Sequence, residues 1–228
     1  MFTRLNRYAI LSLIMTLLIL ISAGSQAVQA AALDPYEIAS LQYVREEEKL
    51  ARDTYLTLYS IWGSSIFQTI AASEQNHMDA VLGLLDKYNI DDPASPIIGV
   101  FQNEFLKTKY FELVALGEQS LVDALLVGCL VEEIDLIDLK TRSSQIDNRD
   151  ILSVFQTLMN GSENHLRAYV ARYESLTGGT YTPVLLDQNT YQQIINGGSG
   201  SGGGAGGGSG SGGSGGGGFG GGNGGPRR

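Results

Sequence analysis

The sequence has few cysteines, histidines and basic residues for its 228 residues. The one cysteine, Cys129, excludes an internal disulfide and a zinc site built from several cysteines. All 24 acidic residues lie in 31–196, together with 11 of the 15 basic ones, so that segment has a formal charge of −13. We therefore exclude nucleic acid as a partner, because so acidic a segment repels phosphates and suits cations or a basic partner.

Glycine is also scarce, except at the C-terminus, where 21 of the 30 glycines lie in 197–228. This Gly/Ser-rich tail has almost no apolar side chains and is predicted to be disordered. Two roles stay open for it: contact with the cell surface or matrix, and a solubilising end without a partner.

The first 30 residues have the composition of a secretory signal peptide. Arg4 and Arg7 precede an apolar run over 9–22, and small residues at 28–30 offer a cleavage site. The alternative is an uncleaved anchor, although the run is short of the ~20 apolar residues that span a bilayer. We expect an exported protein (periplasmic, cell-surface or extracellular) with one folded domain over 31–196.

The middle of the chain predicts helices and shows no strand-like alternation. Asp34 and Pro35 form a helix start, Ser120 caps a later helix with Asp123 three residues on, and Asp147 or Asn148 caps the next. The predicted long helices cover about 35–62, 65–88, 120–141 and 148–178, with short helices over 103–116 and 187–195. Short links within each pair and one long crossover over 91–119 predict an all-α, antiparallel four-helix bundle with ferritin-like connectivity.

Each long helix has polar residues in the middle of an otherwise apolar stripe, followed in steps of three or four residues. These residues are Glu48 in the first helix, Glu74 and His77 in the second, Glu132 and Asp135 in the third, and Ser162 and His165 in the fourth. Carboxylates that converge in a dry core cannot all stay ionised without compensation. A pair of divalent cations would neutralise them and use the imidazole lone pairs. The mix of ligands favours iron or manganese over zinc.

The pattern matches the di-iron carboxylate arrangement, in which two helices give one Glu each and two give Glu-x-x-His. It departs from this arrangement once: the residue three positions before His165 is Ser162, where the arrangement requires a glutamate. Asp135 could supply the missing carboxylate, water or substrate could occupy an open position, or one metal ion alone could bind. Glu163 is out of phase by ~100° and is expected to point elsewhere.

Several acidic residues also have a structural interpretation. Glu48 could pair with Arg52 on a solvated face. Glu133 is expected to face solvent or to support the ligands, although a slip of one residue would exchange it with Glu132. Glu46 and Glu47 are expected to be solvated. The remaining expectations are a buried Cys129 and two core aromatics, Tyr55 and Tyr169.

Five spaced motifs resemble the ferritin-like family catalogued as domain of unknown function 2202. They lie at 45–53, 71–78, 131–135, 161–167 and 178–183, and the resemblance covers about 36–195. The resemblance implies a ferritin-like bundle with metal ligands at Glu48, Glu74, His77, Glu132 and His165, and no established reaction.

Two shorter patterns are more distantly similar to rubrerythrins. Glu48-x-x-Ala51-Arg52-x-x-Tyr55 is similar to their first ligand helix, and Gly128-x-x-x-Glu132 is similar to their third. The C-terminal iron module of rubrerythrins, built on cysteine pairs, is absent from this sequence.

These observations predict an exported di-iron or di-manganese carboxylate oxidoreductase that acts on a small oxidant (dioxygen or peroxide) or on ferrous iron. One alternative is a non-catalytic protein that binds or stores metal ions at the same residues. Another is an envelope scaffold or interaction module with a degenerate metal site.

Overall fold

The computed structural model describes residues 32–197, which contain six α-helices and no strand. The predicted signal peptide and all but the first residue of the predicted tail lie outside these residues. The helices are α1 (Pro35–Trp62), α2 (Ser65–Tyr88), α3 (Glu104–Gly117), α4 (Leu121–Ser143), α5 (Arg149–Thr177) and α6 (Gln188–Gly197). The prediction of an all-helical fold is confirmed. Among the described helices, none is long and apolar enough to cross a membrane.

The start of α1 is fixed by a reciprocal cap. The Asp34 carboxylate accepts the Glu37 N–H at 2.8 Å, and the Glu37 carboxylate accepts the Asp34 N–H at 3.1 Å. Glu37 also accepts the N–H of Asn148 at 3.1 Å, which ties this end of α1 to the start of α5. At the other end, Gly63 adopts the left-handed φ of 63° that favours glycine at a helix terminus.

Two of the other long helices, α4 and α5, also begin at side-chain caps, whereas the Ser64 side chain does not cap α2. The Ser120 hydroxyl accepts the Asp123 N–H at the start of α4, and the side chain of Asn148, not that of Asp147, accepts two N–H groups at the start of α5. Gly178, with a φ of 70°, ends α5. The predicted helix boundaries therefore agree with the structure within a few residues.

The four long helices pack around a shared interior. α1 packs on α2 and α4 on α5, while α1 also meets α4 and α2 meets α5. α3 lies in the crossover and covers α1 and α4, and α6 packs on α5.

The interior has two apolar clusters with polar residues between them. Along α1, Leu41 and Val44 belong to one cluster and Tyr55 and Leu58 to the other, with Glu48 between. The same alternation occurs along the other three long helices, and its order reverses from α1 to α2 and from α4 to α5. The polar residues of the four long helices therefore lie at the same depth.

Carboxylates of α1 hold the crossover in place. Glu46 is buried and accepts the N–H groups of Gln102 and Asn103 at 2.6 and 2.8 Å, next to the start of α3. Buried Asp53 accepts the Gly99 N–H at 3.0 Å, and buried Lys49 donates to the Ile97 carbonyl at 2.9 Å. The expectation that Glu46 and Glu47 are solvated is wrong, because both are buried, and the partners of Glu46 are backbone groups brought onto α1 by the crossover.

Glu133 anchors the segment 181–186, which we call the C-terminal strap. Its carboxylate accepts the Tyr181 hydroxyl at 2.6 Å and the N–H groups of Val184, Leu185 and Leu186 at 3.0, 2.6 and 2.9 Å. Glu133 is fully buried, so the expectation that it faces solvent is wrong. The strap covers the side of α4 that the sequence pattern would expose.

Candidate metal centre

Glu74 lies at the centre of the polar cluster. One of its oxygens, Oε2, is 2.8 Å from His77 Nδ1, and the other, Oε1, is 2.8 Å from His165 Nδ1. Glu48 Oε2 lies 3.1 Å from His77 Nδ1, and Glu132 Oε2 lies 3.6 Å from His165 Nδ1. The structure thus brings together five of the six residues predicted as ligands, one or two from each long helix.

These five residues form two groups that could each hold a metal ion. The groups are Glu48, Glu74 and His77, and Glu74, Glu132 and His165; within each group the ligand atoms all lie within 4.8 Å of one another. The two groups share Glu74, and the two imidazole rings stack with centroids 5.4 Å apart. The cluster is buried in the described part of the chain, and no further group of this kind is found there.

Several ligand atoms are close together without forming hydrogen bonds. Glu74 Oε1 and His165 Nδ1 have no hydrogen-bond partner within 32–197, although they are 2.8 Å apart, and Glu48 Oε1 has none either. Buried polar atoms of proteins are nearly always paired. Atoms that face a common point instead of one another suit a cation at that point, so the residues present fit a bound metal ion.

Neighbouring side chains orient two of these ligands. His165 Nε2 lies 2.9 Å from the Ser73 hydroxyl, which leaves Nδ1 facing Glu74. The Tyr55 hydroxyl donates to Glu132 Oε1 at 2.5 Å, and the Tyr55 ring packs against Tyr169 with centroids 5.2 Å apart. Supporting groups of this kind fix the tautomer and the orientation of metal ligands.

Protons balance the charge of the cluster where no cation is bound. Burial opposes the charge of His77, but its contacts with Glu48 and Glu74 raise its pKa to about 11. Burial likewise opposes the charge of His165, while Glu132 and Glu74 raise its pKa to about 10. Metal binding at these residues would therefore release protons from the imidazoles.

The three carboxylates of the cluster differ in the direction of their pKa shifts. Burial raises the pKa of Glu48 to about 7 and that of Glu132 to about 7, with the charge of Glu74 adding to both shifts. Burial acts on Glu74 in the same direction, but its contacts with both histidines hold its pKa well below the usual range. Glu74 is therefore the carboxylate that stays ionised between two positively charged imidazoles.

Asp135 and Ser162 lie beside the five residues and outside both groups. The Ser162 hydroxyl donates to Asp135 Oδ2, while Asp135 Oδ1 has no hydrogen-bond partner within the described residues. Burial, and then the charge of Glu48, raises the pKa of Asp135 well above its usual range. Asp135 is thus held by the serine that replaces the expected glutamate.

Contacts and burial decide the expectations for the residues around the cluster: Arg52, Glu163 and the three core residues. Arg52 binds Asp53 at 2.7 Å and Gln75 at 2.6 Å, so it is not the partner of Glu48. Glu163 lies 3.6 Å from Arg167 and not in the cluster, as expected for a residue out of phase with the inward stripe. Cys129, Tyr55 and Tyr169 are fully buried, as expected for core residues.

Sequence reasoning missed the supporting roles of Ser73 and Gly161. Ser73 contacts His165 from another helix, and nothing in its local sequence indicates this. A side chain at Gly161 would overlap the His77 ring, whose Cε1 atom would lie 2.6 Å from the added Cβ. A glycine inside a helix is a recognisable signal of close approach, and here it makes room for a candidate ligand.

The fold and the site define an all-helical protein with buried Glu and His residues that could hold metal ions. Residues 37–198 match the family model described as an uncharacterized protein domain, DUF2202, and the chain belongs to this family.

The chain is similar to the uncharacterized protein MJ0754 of Methanocaldococcus jannaschii. The two are 49% identical over 154 residues, which cover 67% of this chain and 83% of that protein. A crystal structure of the hypothetical protein MJ0754 from Methanococcus jannaschii matches with a TM-score of 0.70 at 47% identity, covering 72% of this chain and 94% of that one. Neither the family description nor these names state a function.

Proposed function

We propose that the protein is an exported ferritin-like four-helix bundle, distantly related to rubrerythrins, that holds two iron or manganese ions and acts as an oxidoreductase on dioxygen, peroxide or ferrous iron. The observation that carries this proposal is the pair of buried ligand groups that share Glu74. A shared carboxylate between two groups is the feature that distinguishes a two-ion site from two separate one-ion sites.

Charge supports two ions rather than one. Glu48, Glu74 and Glu132 place three carboxylates within a buried cluster, and Asp135 lies beside them. Two divalent cations would replace the protons on the two histidines and neutralise all of these carboxylates. A single ion would leave one group of ligands unmatched.

The ligand set supports iron or manganese. Glu48 and His77 would hold one ion, Glu132 and His165 would hold the other, and Glu74 would bridge them. Carboxylate oxygens with one imidazole per ion suit these metals. When the Nε2–H of a neutral His165 donates a hydrogen bond to the Ser73 hydroxyl oxygen, Nδ1 keeps a lone pair for the ion.

The chemistry follows from the redox activity that such ions have. Two ferrous ions held by these residues would supply, on oxidation to ferric ions, the two electrons that convert hydrogen peroxide and two protons into two water molecules. The chain itself excludes bulk water with the two apolar clusters on either side of the site. Tyr55 holds one oxygen of Glu132, and Ser162 holds one oxygen of Asp135, so Asp135 Oδ1 is left to accept a proton or to join the site.

The test is metal analysis followed by a redox reaction. We expect the full chain, purified without a His-tag, to contain about two iron or manganese ions per chain. After anaerobic loading with ferrous iron, addition of peroxide should increase absorbance in the near-ultraviolet charge-transfer region, with two irons oxidised per peroxide. Bound iron with flat absorbance would contradict the redox proposal and leave a protein that binds or stores metal.

One observation favours the alternative of an envelope scaffold with a degenerate metal site. At the position of the expected second bridging glutamate, Ser162 forms a hydrogen bond with Asp135. A chain that contains no metal after purification, and takes up none on incubation with ferrous or manganous ions, would favour this alternative.

A further inference from the structure

A cavity of about 260 Å³ lies between α1, α3 and α4, beside the candidate metal centre. Its inner walls are apolar and are formed by Leu50, Ala51, Leu106, Val131 and Ile134. Phe105 and Leu185 also line it and are 61% and 49% exposed, so the opening is apolar as well. Such a cavity is suited to the hydrocarbon part of a small molecule.

The carboxylate of Glu47 lines this apolar cavity. Glu47 is only 3% exposed, and neither of its oxygens has a hydrogen-bond partner within the described residues. The lysine that lines the same cavity, Lys109, pairs with Glu112 at 2.8 Å, and the Arg142 guanidinium lies over the Tyr43 ring at 3.7 Å. A buried carboxylate without a partner is costly, and a ligand that pairs with it would remove that cost.

The other two carboxylates of the cavity each have one hydrogen-bond partner. Asp138 accepts the Tyr43 hydroxyl at 3.1 Å, and Asp135 accepts the Ser162 hydroxyl. Glu47, Asp135 and Asp138 do not form a group whose oxygens are close enough to share an ion, in contrast to the two groups at the candidate centre. The cavity is therefore poorly suited to an inorganic divalent cation.

Charge and volume select among the remaining ligands. An anion would be repelled by the carboxylates of Glu47 and Asp138, and a neutral hydrocarbon would leave Glu47 without a partner among the described residues. An apolar cavity of about 150 Å³ is large enough for benzene. The volume here is therefore ample for a body of about six carbon atoms with a charged head group.

We propose that this cavity binds a small organic monocation, an ammonium group on an apolar body, with Glu47 as its counter-ion. Glu47 would pair with the ammonium group, and the walls formed by α1, α3 and α4 would enclose the hydrocarbon. The proposal is independent of the metal centre, because Glu47 belongs to neither ligand group.

The test is a titration of the full chain with hexylammonium, 1-hexanol and hexanoate at about 0.15 M salt, which screens binding to surface charges. We expect hexylammonium to bind at least about tenfold more tightly than 1-hexanol, because it alone pairs with a buried charge. Hexanoate should not bind. Calorimetry gives the affinities, and shifts of the Ala51 and Ile134 methyl resonances locate the ligand.

Two matched variants identify the counter-ion. Glu47→Gln keeps the size of the side chain and removes its charge, so it should weaken hexylammonium binding by about tenfold or more and leave 1-hexanol unchanged. Glu104→Gln is the control: it removes the same charge from a side chain on α3 that is 79% exposed, and it should change neither affinity. Thermal unfolding shows that both variants are folded.

Three results would overturn the proposal. Hexylammonium binding that survives in Glu47→Gln would place the ligand elsewhere on the acidic surface. Equal affinities for hexylammonium and 1-hexanol would show that the cavity is only apolar. An absence of shifts at Ala51 and Ile134 would show that the cavity binds neither.

Discussion

Glu132 and Glu133 are neighbours on α4 and are both buried, yet their surroundings have opposite consequences. Glu133 is paired by a hydroxyl and three backbone N–H groups of the C-terminal strap. Glu132 faces Tyr55, His165 and Glu74, and burial together with the charge of Glu74 raises its pKa to about 7. Neutral donors that are fixed by the fold satisfy the first carboxylate, while the second lies where charges of its own sign converge and a cation is favoured.

The same contrast occurs in three consecutive residues of α1. Glu46 is paired with backbone N–H groups of the crossover, Glu47 lines an apolar cavity with no hydrogen-bond partner within 32–197, and Glu48 lies in the candidate metal centre. Burial alone therefore does not reveal the role of a carboxylate. Its partners, or their absence, do.

The largest effect is expected from Glu74→Ala, because Glu74 belongs to both ligand groups. Metal content should fall from about two ions per chain to none, measured by mass spectrometry of protein purified without a His-tag. Glu163→Ala is the control, since Glu163 pairs with Arg167 outside the cluster. Unchanged metal content in Glu74→Ala would show that the ions bind elsewhere.

Changing Glu132 and Glu133 separately to glutamine tests whether the two carboxylates have different roles. Glu133→Gln should lower the free energy of unfolding by about 2 kcal/mol, because charge-assisted hydrogen bonds to the strap are lost, and should keep the metal. Glu132→Gln should lose the ion held with His165 and keep most of its stability. Chemical denaturation of both variants measures the free energy of unfolding, and metal analysis measures the number of ions bound. If both variants lose the same property, the two carboxylates do not have separate roles.

A smaller and more local effect is expected from Gly161→Ala. The added Cβ would overlap the His77 ring and displace a proposed ligand without removing any, so metal affinity should fall about 10–100-fold at the ion held by His77. Competition with a chromogenic chelator measures the affinity. Gly83→Ala, at a position with open space on α2, is the control and should leave it unchanged. Equal affinities in the two variants would contradict the role of His77.

The smallest effect concerns pH. In the metal-free protein His77 and His165 have pKa values of about 11 and 10, above the usual 6.5, so their stabilising contribution is complete below pH 6.5 and is lost as the pH rises toward these values. The pKa values of Glu48 and Glu132 are raised from 4.5 to about 7, so these two groups also lower the stability as the pH rises from 4.5 to 7. Glu74, with a lowered pKa, acts in the opposite direction, but only below pH 4.5.

The metal-free protein should therefore become less stable as the pH rises from about 5 to 9. The metal-loaded protein should lose less, because bound ions replace the protons. Thermal unfolding of both forms across this range is the measurement. Constant or rising stability of the metal-free form would contradict the assignment of charges.

The sequence predicts most of this fold because helix boundaries depend on local signals. Asp34, Asn148, Gly63 and Gly178 act on neighbouring backbone groups, and the three-to-four-residue periodicity identifies the inward residues of each long helix. The convergence of Glu48, Glu74, His77, Glu132 and His165 follows from that periodicity and from similar helix lengths. Their role as metal ligands stays a prediction.

Partners that come from irregular segments could not be predicted. Glu133 is separated by about fifty residues from the strap that pairs with it, and the strap has no periodicity that indicates where it packs. The same applies to Glu46 and the crossover. These residues were expected in solvent, or left open, because tertiary contacts decide their surroundings.

The most direct test of the central claim is anomalous X-ray diffraction at the iron and manganese edges, on crystals of the full chain purified without a His-tag. The account predicts two peaks about 3.5–4 Å apart, with Glu74 between them, one beside Glu48 and His77 and the other beside Glu132 and His165. The absence of anomalous signal at these residues after incubation with ferrous or manganous ions, or peaks only at other sites, would contradict it.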